Sequence, residues 1–293
     1  MYFKDDCIFD KFLVDTKLNL IMKTITVSFF ILISMNSFAQ NFTGRIICVT
    51  NHSAIEYVNI GILNKNTGTT SNSDGYFTLD ISKINNEDTV LISCIGYETL
   101  KLKVSDFVKN ENHEILMKQH IYSLKETTVK PRRVKEKKLG VTSFSRKMQA
   151  GFSDNLLGYE MGILMHNKKS AKINKINLDI GSCTYDTIFY RINVYEQRNN
   201  GKPDFENVLT SPIYITIPKD KIKNTIVVNI SKRDIYVNGN FMVTIEHVRN
   251  LKNGRLYFSC GLGTSTWHRK TSQGNWGKTP IGIAVNVDAE VEY

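Results

Sequence analysis

The 293-residue chain has no apolar run long enough for a secure membrane-spanning helix. Its five cysteines include no C-x-x-C pair, so a zinc ribbon or thioredoxin-like redox site has no support. None of its six histidines has a carboxylate three residues on; those positions hold Ile55, Leu116, Ser123, Lys169, Asn250 and Thr271. A zinc peptidase site built on a His and a Glu at that spacing is therefore absent, and so is H-E-x-x-H. Gly263-Thr264-Ser265-Thr266-Trp267 breaks the G-x-S-x-G pattern at its last position, and no phosphate loop or dinucleotide fingerprint occurs. Paired carboxylates for glycoside hydrolysis meet only in three dimensions, and nothing in their spacing marks a pair here. These gaps predict a protein that is not an enzyme and carries no cofactor or metal.

The composition is that of an ordinary globular protein, 41% hydrophobic and 23% charged. One apolar stretch, Ile25 to Phe38, has the anatomy of a signal peptide. Met22-Lys23 is the charged start, Val27 to Ile33 the apolar middle, and Ser37-Phe38-Ala39 a small-x-small cleavage site before Gln40. Met22 is the expected initiator, with residues 1–21 an upstream extension and 22–39 the signal peptide. The rival reading is a buried apolar N-terminal helix. Residues 1–39 carry four Lys and four Asp, so the net charge of +10 lies entirely beyond them. An exported basic chain suits an envelope protein or polysaccharide as partner, although diffuse solubilising charge explains the excess as well. It shows no nucleic-acid motif, and no membrane span remains after signal removal. Export permits disulfides, and Cys48/Cys94 and Cys183/Cys260 allow one bridge per half; four buried thiols are the alternative.

From Phe42 to about Val129 short strands alternate with turns. Val58, Ile60 and Ile62 share a face, as do Phe77, Leu79 and Ile81, the pattern of a sheet buried on one side. Leu100, Leu102 and Val104 alternate with Lys101 and Lys103, and Glu114 to Met117 reads as a last short strand. Asp74-Gly75 between two strand-like runs predicts a hairpin turn. A calcium loop fails there, because its closing ligand would be Ile81. Gly44-Arg45-Ile46, Tyr57-Val58-Asn59-Ile60, Asp74-Gly75-Tyr76-Phe77 and Ser93-Cys94-Ile95-Gly96-Tyr97-Glu98-Thr99 follow in that order. Together they resemble the carboxypeptidase-regulatory-like domain, a small transthyretin-like β-sandwich found beside metallocarboxypeptidase domains and at the N-termini of TonB-dependent receptors. The resemblance covers residues 41–118, and Leu124 to Val129 resembles the segment that follows the domain in receptors. One departure is Ala54, where the family often has Pro. At this length no large receptor barrel is expected to follow. The resemblance implies positioning or partner contact, without catalysis.

Lys130-Pro131-Arg132-Arg133-Val134-Lys135-Glu136-Lys137-Lys138 concentrates six cations, and residues 130–139 read as a basic linker. Over 140–293 the strand pattern returns. Ile188, Tyr190, Ile192 and Val194 face one way with Arg191 and Asn193 opposite; Phe241, Val243 and Ile245 alternate with Met242, Thr244 and Glu246. Ile283, Val285, Val287, Ala289 and Val291 alternate with Ala284, Asn286, Asp288, Glu290 and Glu292 in the clearest strand of all. Asn200-Gly201, Asn238-Gly239 and Asn253-Gly254 mark turns. The expected fold is all-β: a transthyretin-like sandwich over 41–129 and a jelly-roll-like sandwich over 140–293.

Both tryptophans lie in Gly261–Lys278, among Gly, amides, hydroxyls and cations. An exposed Trp267 or Trp276 offers a flat face for a sugar ring, with amides and Arg269 beside it to bond hydroxyls and His268 in the same hairpin. The competing expectation is that the indoles fill the core. The leading functional expectation is a non-catalytic exported envelope protein that binds or scaffolds, in the periplasm or at the outer membrane. The alternatives are glycan binding through Trp267 and Trp276, and a hydrolase whose site assembles in the C-terminal half.

Overall fold

The computed structural model describes residues 22–23, 41–109, 113–120, 133–198 and 204–293. The upstream extension, the signal peptide beyond Met22-Lys23, Leu124 to Val129 and the Asn200-Gly201 turn lie outside these residues. From Asn41 onward the chain forms one compact unit.

The first sandwich has seven strands: β1 (Asn41–Cys48), β2 (Asn59–Ile62), β3 (Gly68–Thr70), β4 (Tyr76–Asp80), β5 (Thr89–Ser93), β6 (Leu100–Lys103) and β7 (Glu114–Met117). They make two sheets, ordered β4-β1-β7 and β3-β2-β5-β6. Period-two alternation sends Ile46, Ile60, Ile62, Leu79, Val90 and Ile92 into a shared core. Val104 is a correction. It begins a short helix, α1 (Val104–Val108), which caps the core with Val104 and Phe107 instead of extending β6.

The Asp74-Gly75 turn also differs from a hairpin, since β3 and β4 belong to different sheets. The turn carries the chain from one layer to the other. Asn72 shapes it: its Oδ1 accepts from the backbone N–H of Asp74 and of Tyr76, both at 2.9 Å. Gly75 is required at φ +79°, and a Cβ there would meet the Ile46 carbonyl at 2.5 Å.

The second sandwich contains β8 (Val134–Gly140), β9 (Ser145–Phe152), β10 (Glu160–Met165), β11 (Ser170–Cys183), β12 (Thr187–Gln197), β13 (Phe205–Asn207), β14 (Ile213–Pro218) and β15 (Thr225–Asn229). It continues with β16 (Tyr236–Asn238), β17 (Phe241–Glu246), β18 (Leu256–Gly261), β19 (Thr266–Arg269), β20 (Gly277–Thr279), β21 (Gly282–Ile283) and β22 (Val285–Glu292). One sheet runs β13-β12-β17-β10-β19-β20, with β14 also on β12. The other runs β21-β18-β11-β22-β8, with β15 and β16 on β11 and β9 on β18. The core between them takes Ile188, Tyr190, Ile192 and Val194 from the first sheet and Val285, Val287, Ala289 and Val291 from the second.

The basic segment is a second correction. Residues 134–140 are the edge strand β8, paired in continuous antiparallel register with β22 from Val134↔Glu292 to Gly140↔Asn286. Charges on β22 explain how a cationic run joins a sheet: Lys138 pairs with Asp288 at 2.9 Å. Lysines on an exposed edge also discourage pairing with other chains. Cys48, Cys94, Cys183 and Cys260 are all free thiols, so the two bridges do not form.

Candidate functional site

The alternation that buries one face of β12, β17, β10 and β19 turns Arg191, Glu246, Glu160 and Arg269 to the other. These four residues are direct cross-strand partners: Arg191 faces Glu246, Glu246 faces Glu160, and Glu160 faces Arg269. The result is a row of charges, plus-minus-minus-plus, across four adjacent strands. Arg191 Nε and Nη2 donate to Glu246 Oε2 at 3.0 and 2.8 Å. Arg269 Nε donates to Glu160 Oε2 at 2.8 Å. Two carboxylates directly opposite repel one another. Asn193 offsets that repulsion by donating from one Nδ2 to Glu160 Oε1 at 2.8 Å and to Glu246 Oε2 at 2.7 Å. Thr244 Oγ1 also donates to Glu160.

The two carboxylates of this row are sealed, at 0% exposure, while the arginines at its ends, Arg191 at 1% and Arg269 at 9%, border a cleft. Over Arg191 the cover is the first sandwich. Arg191 Nη1 donates to the Tyr57 carbonyl at 2.7 Å and Nη2 to Asn59 Oδ1 at 2.6 Å. Burial opposes the charge on Arg191 and on Arg269, but the carboxylate beside each holds its pKa above the usual arginine range. The seam is tightened by Gly61 and Gly68, which face each other across β2 and β3. A Cβ on either would lie 2.2 or 2.1 Å from the Ser272 carbonyl, so only glycine admits this approach. Thr70 Oγ1 to the Val248 carbonyl (3.0 Å) and Gln273 Nε2 to Ser93 Oγ (2.7 Å) extend the contact.

Of the four residues expected from sequence, Arg269 belongs to this row and Trp267 and Trp276 lie beside it. Trp267 is 8% exposed; Lys278 Nζ sits 4.1 Å over its ring and Phe205 meets it edge-on. Trp276 is half-buried, edge-on to Tyr195 and Phe205, with the Arg269 guanidinium 4.8 Å over its ring. Arg269 bonds Glu160 and the Tyr195 hydroxyl through Nε and Nη2 and lies over Trp276. His268, one residue from each of Trp267 and Arg269, lies on the opposite face of β19; burial, with Lys270, pushes its pKa down. Each indole thus packs against Phe205 and carries a cation over its ring.

Sequence reasoning missed Glu160, Asn59 and Ser272. Glu160 heads an unremarkable apolar run, and its importance comes from its cross-strand neighbours. Two openings flank the seam. A cleft of about 350 Å³ lies between β5 and the outer face of β12. A broader groove of about 890 Å³ runs between β1, β4 and the Val248–Asn250 loop. Among the described residues no group of three or more His, Cys, Asp or Glu is arranged to hold a metal.

The comparisons place a class on part of the chain. The CarboxypepD_reg-like domain family matches residues 42–129, the stretch whose motifs resemble that domain. No curated protein matches. Among solved structures, the VP2 subviral particle of infectious bursal disease virus aligns at 10% identity and a TM-score of 0.17, covering 81% of this chain and 61% of that one. T=1 particles derived from the same virus align at 10% identity and 0.18, over 86% and 62%. The chain thus spans under two thirds of these proteins, and the scores are too low to mark a shared fold.

Proposed function

We propose that the protein is an exported, envelope-associated binding or scaffolding protein of a Gram-negative bacterium, without catalysis of its own. The observation that carries this reading is the sealing of Glu160 and Glu246. These carboxylates converge, as a hydrolase would need, but each is held by an arginine and fully buried, out of reach of water. A hydrolytic carboxylate must touch its substrate or a water. Here the charges join two sandwiches into one unit that presents surfaces. The signal-like Met22 to Ala39 segment supports export, and the regulatory-like module supports partner contact over chemistry.

Capture from envelope fractions with the chain from Gln40 tests the reading. A reproducibly enriched envelope protein or polysaccharide is expected, with no turnover of peptide, ester or glycoside substrates. Turnover that disappears in Glu160→Gln would overturn it, as would an exported chain that enriches nothing.

A further inference from the structure

The 350 Å³ cleft has the makings of a ligand site in its own right. Its floor is Arg191, Asn193, Tyr195 and Arg269, all at least nine-tenths buried. Its roof includes Asn59, Ser93 and, at the rim, exposed Thr99. Phe205 and Leu209 make an apolar wall. A small concave volume with a few convergent polar groups and one apolar side is the usual form of a small-molecule site, ~300–1,000 Å³ in size.

Electrostatics narrows the ligand. Each guanidinium on the floor has its charge cancelled from behind, Arg191 by Glu246 and Arg269 by Glu160. The cleft thus offers directional donors without a net positive field, which disfavours selection of an anion. One donor group remains unused: Arg269 Nη1 makes no hydrogen bond to the described residues, whereas Arg191 is taken up by Glu246, Tyr57, Asn59 and Tyr214. Glu206 and Asn207 bring acceptors to the mouth. Rings near the cleft meet edge-on, Phe205 with Trp267 and with Trp276, leaving no parallel slot for a planar base. A neutral, non-planar molecule carrying both donors and acceptors fits these demands.

We infer that this cleft binds a neutral saccharide of one or two rings, at the seam of the two sandwiches instead of on the faces of Trp267 and Trp276. The inference rests on the binding role proposed above and names a ligand class for it. Sugar hydroxyls would take the spare N–H groups of Arg269 Nη1, and the apolar face of a pyranose would lie against Phe205.

The test is a glycan array followed by calorimetric titration of the purified chain from Gln40. The probes are glucose, galactose, mannose, N-acetylglucosamine and their homodisaccharides, with glucuronate and citrate as charged controls. At least one neutral sugar should bind, and Thr99→Trp, which fills the rim without touching the buried row, should weaken it by about tenfold or more. Phe205→Ala should weaken the same sugar. Lack of binding by every neutral sugar overturns the inference, as does undiminished binding by Thr99→Trp or tighter binding of the anions. Envelope capture separates the two readings: if Thr99→Trp still captures the partner while no sugar binds, the cleft assignment fails and the scaffolding role stands.

Discussion

At the scale of single residues, Arg191 is the most consequential side chain in the structure. It donates to one oxygen of a buried carboxylate in one sandwich and to a backbone carbonyl and a side-chain amide oxygen in the other. Truncating it strands Glu246 as a buried, unpaired charge, so Arg191→Leu should cost about 3–5 kcal/mol, read as a fall in the urea midpoint. A loss under about 1 kcal/mol would show that the row contributes little. His247 makes a second case. It is fully buried among Phe152, Tyr185 and Tyr190, and no hydrogen bond of good geometry reaches either ring nitrogen. Burial pushes its pKa down to about 4, against the weaker pull of backbone groups at Arg249 and Asp154. The unfolded chain, with its imidazole near 6.5, therefore takes up the proton first. Stability from this group is complete above about pH 6.5 and is lost as the pH falls toward 4, by up to roughly 3 kcal/mol. His247→Phe should flatten the pH profile of stability across that window; an unchanged slope would mean that other groups set it.

At the scale of elements, the pair of β2 and β3 decides whether the sandwiches dock. Their facing glycines, Gly61 and Gly68, leave room for the Ser272 carbonyl. Gly68→Val places carbon atoms against backbone on two sides, so relief by side-chain motion is ruled out. Protease cleavage between the sandwiches should become fast, with a destabilisation of about 1–3 kcal/mol. Cleavage at the native rate would place the docking energy elsewhere. β8 teaches the complementary lesson. Lys135 to Lys138 reads as solvated linker because charge density and a nearby proline argue against structure. β22 supplies Asp288 and an open edge, and the backbone of β8 takes both. A strand that borrows its partner from 150 residues away leaves no local mark.

At the scale of the whole molecule, the shared buried row predicts that residues 41–293 unfold together. Fluorescence of Trp267 and Trp276 reports on the second sandwich, and thiol reactivity of fully buried Cys48 reports on the first. Both should change at the same urea concentration, whereas two separated midpoints would show that the sandwiches are energetically independent.

Much of the architecture could be read from the chain. Alternation locates most strands, the strand residues of the regulatory-like module are recognisable, and Arg191, Asn193, Thr244 and Glu246 fall on faces opposite the apolar ones. The local pattern also identified the Asp74-Gly75 turn, though not that it links two layers. Side-chain alternation is a backbone property and survives in sequence, so these features were determined there. What lies over a polar face is not a local property. Burial of Glu160 and Glu246, the cross-strand row of charges, the cover on the tryptophans and the cleft at the seam were decided only by tertiary structure. Each depends on which strands become neighbours and on which surface the first sandwich settles, and contacts between distant residues set both.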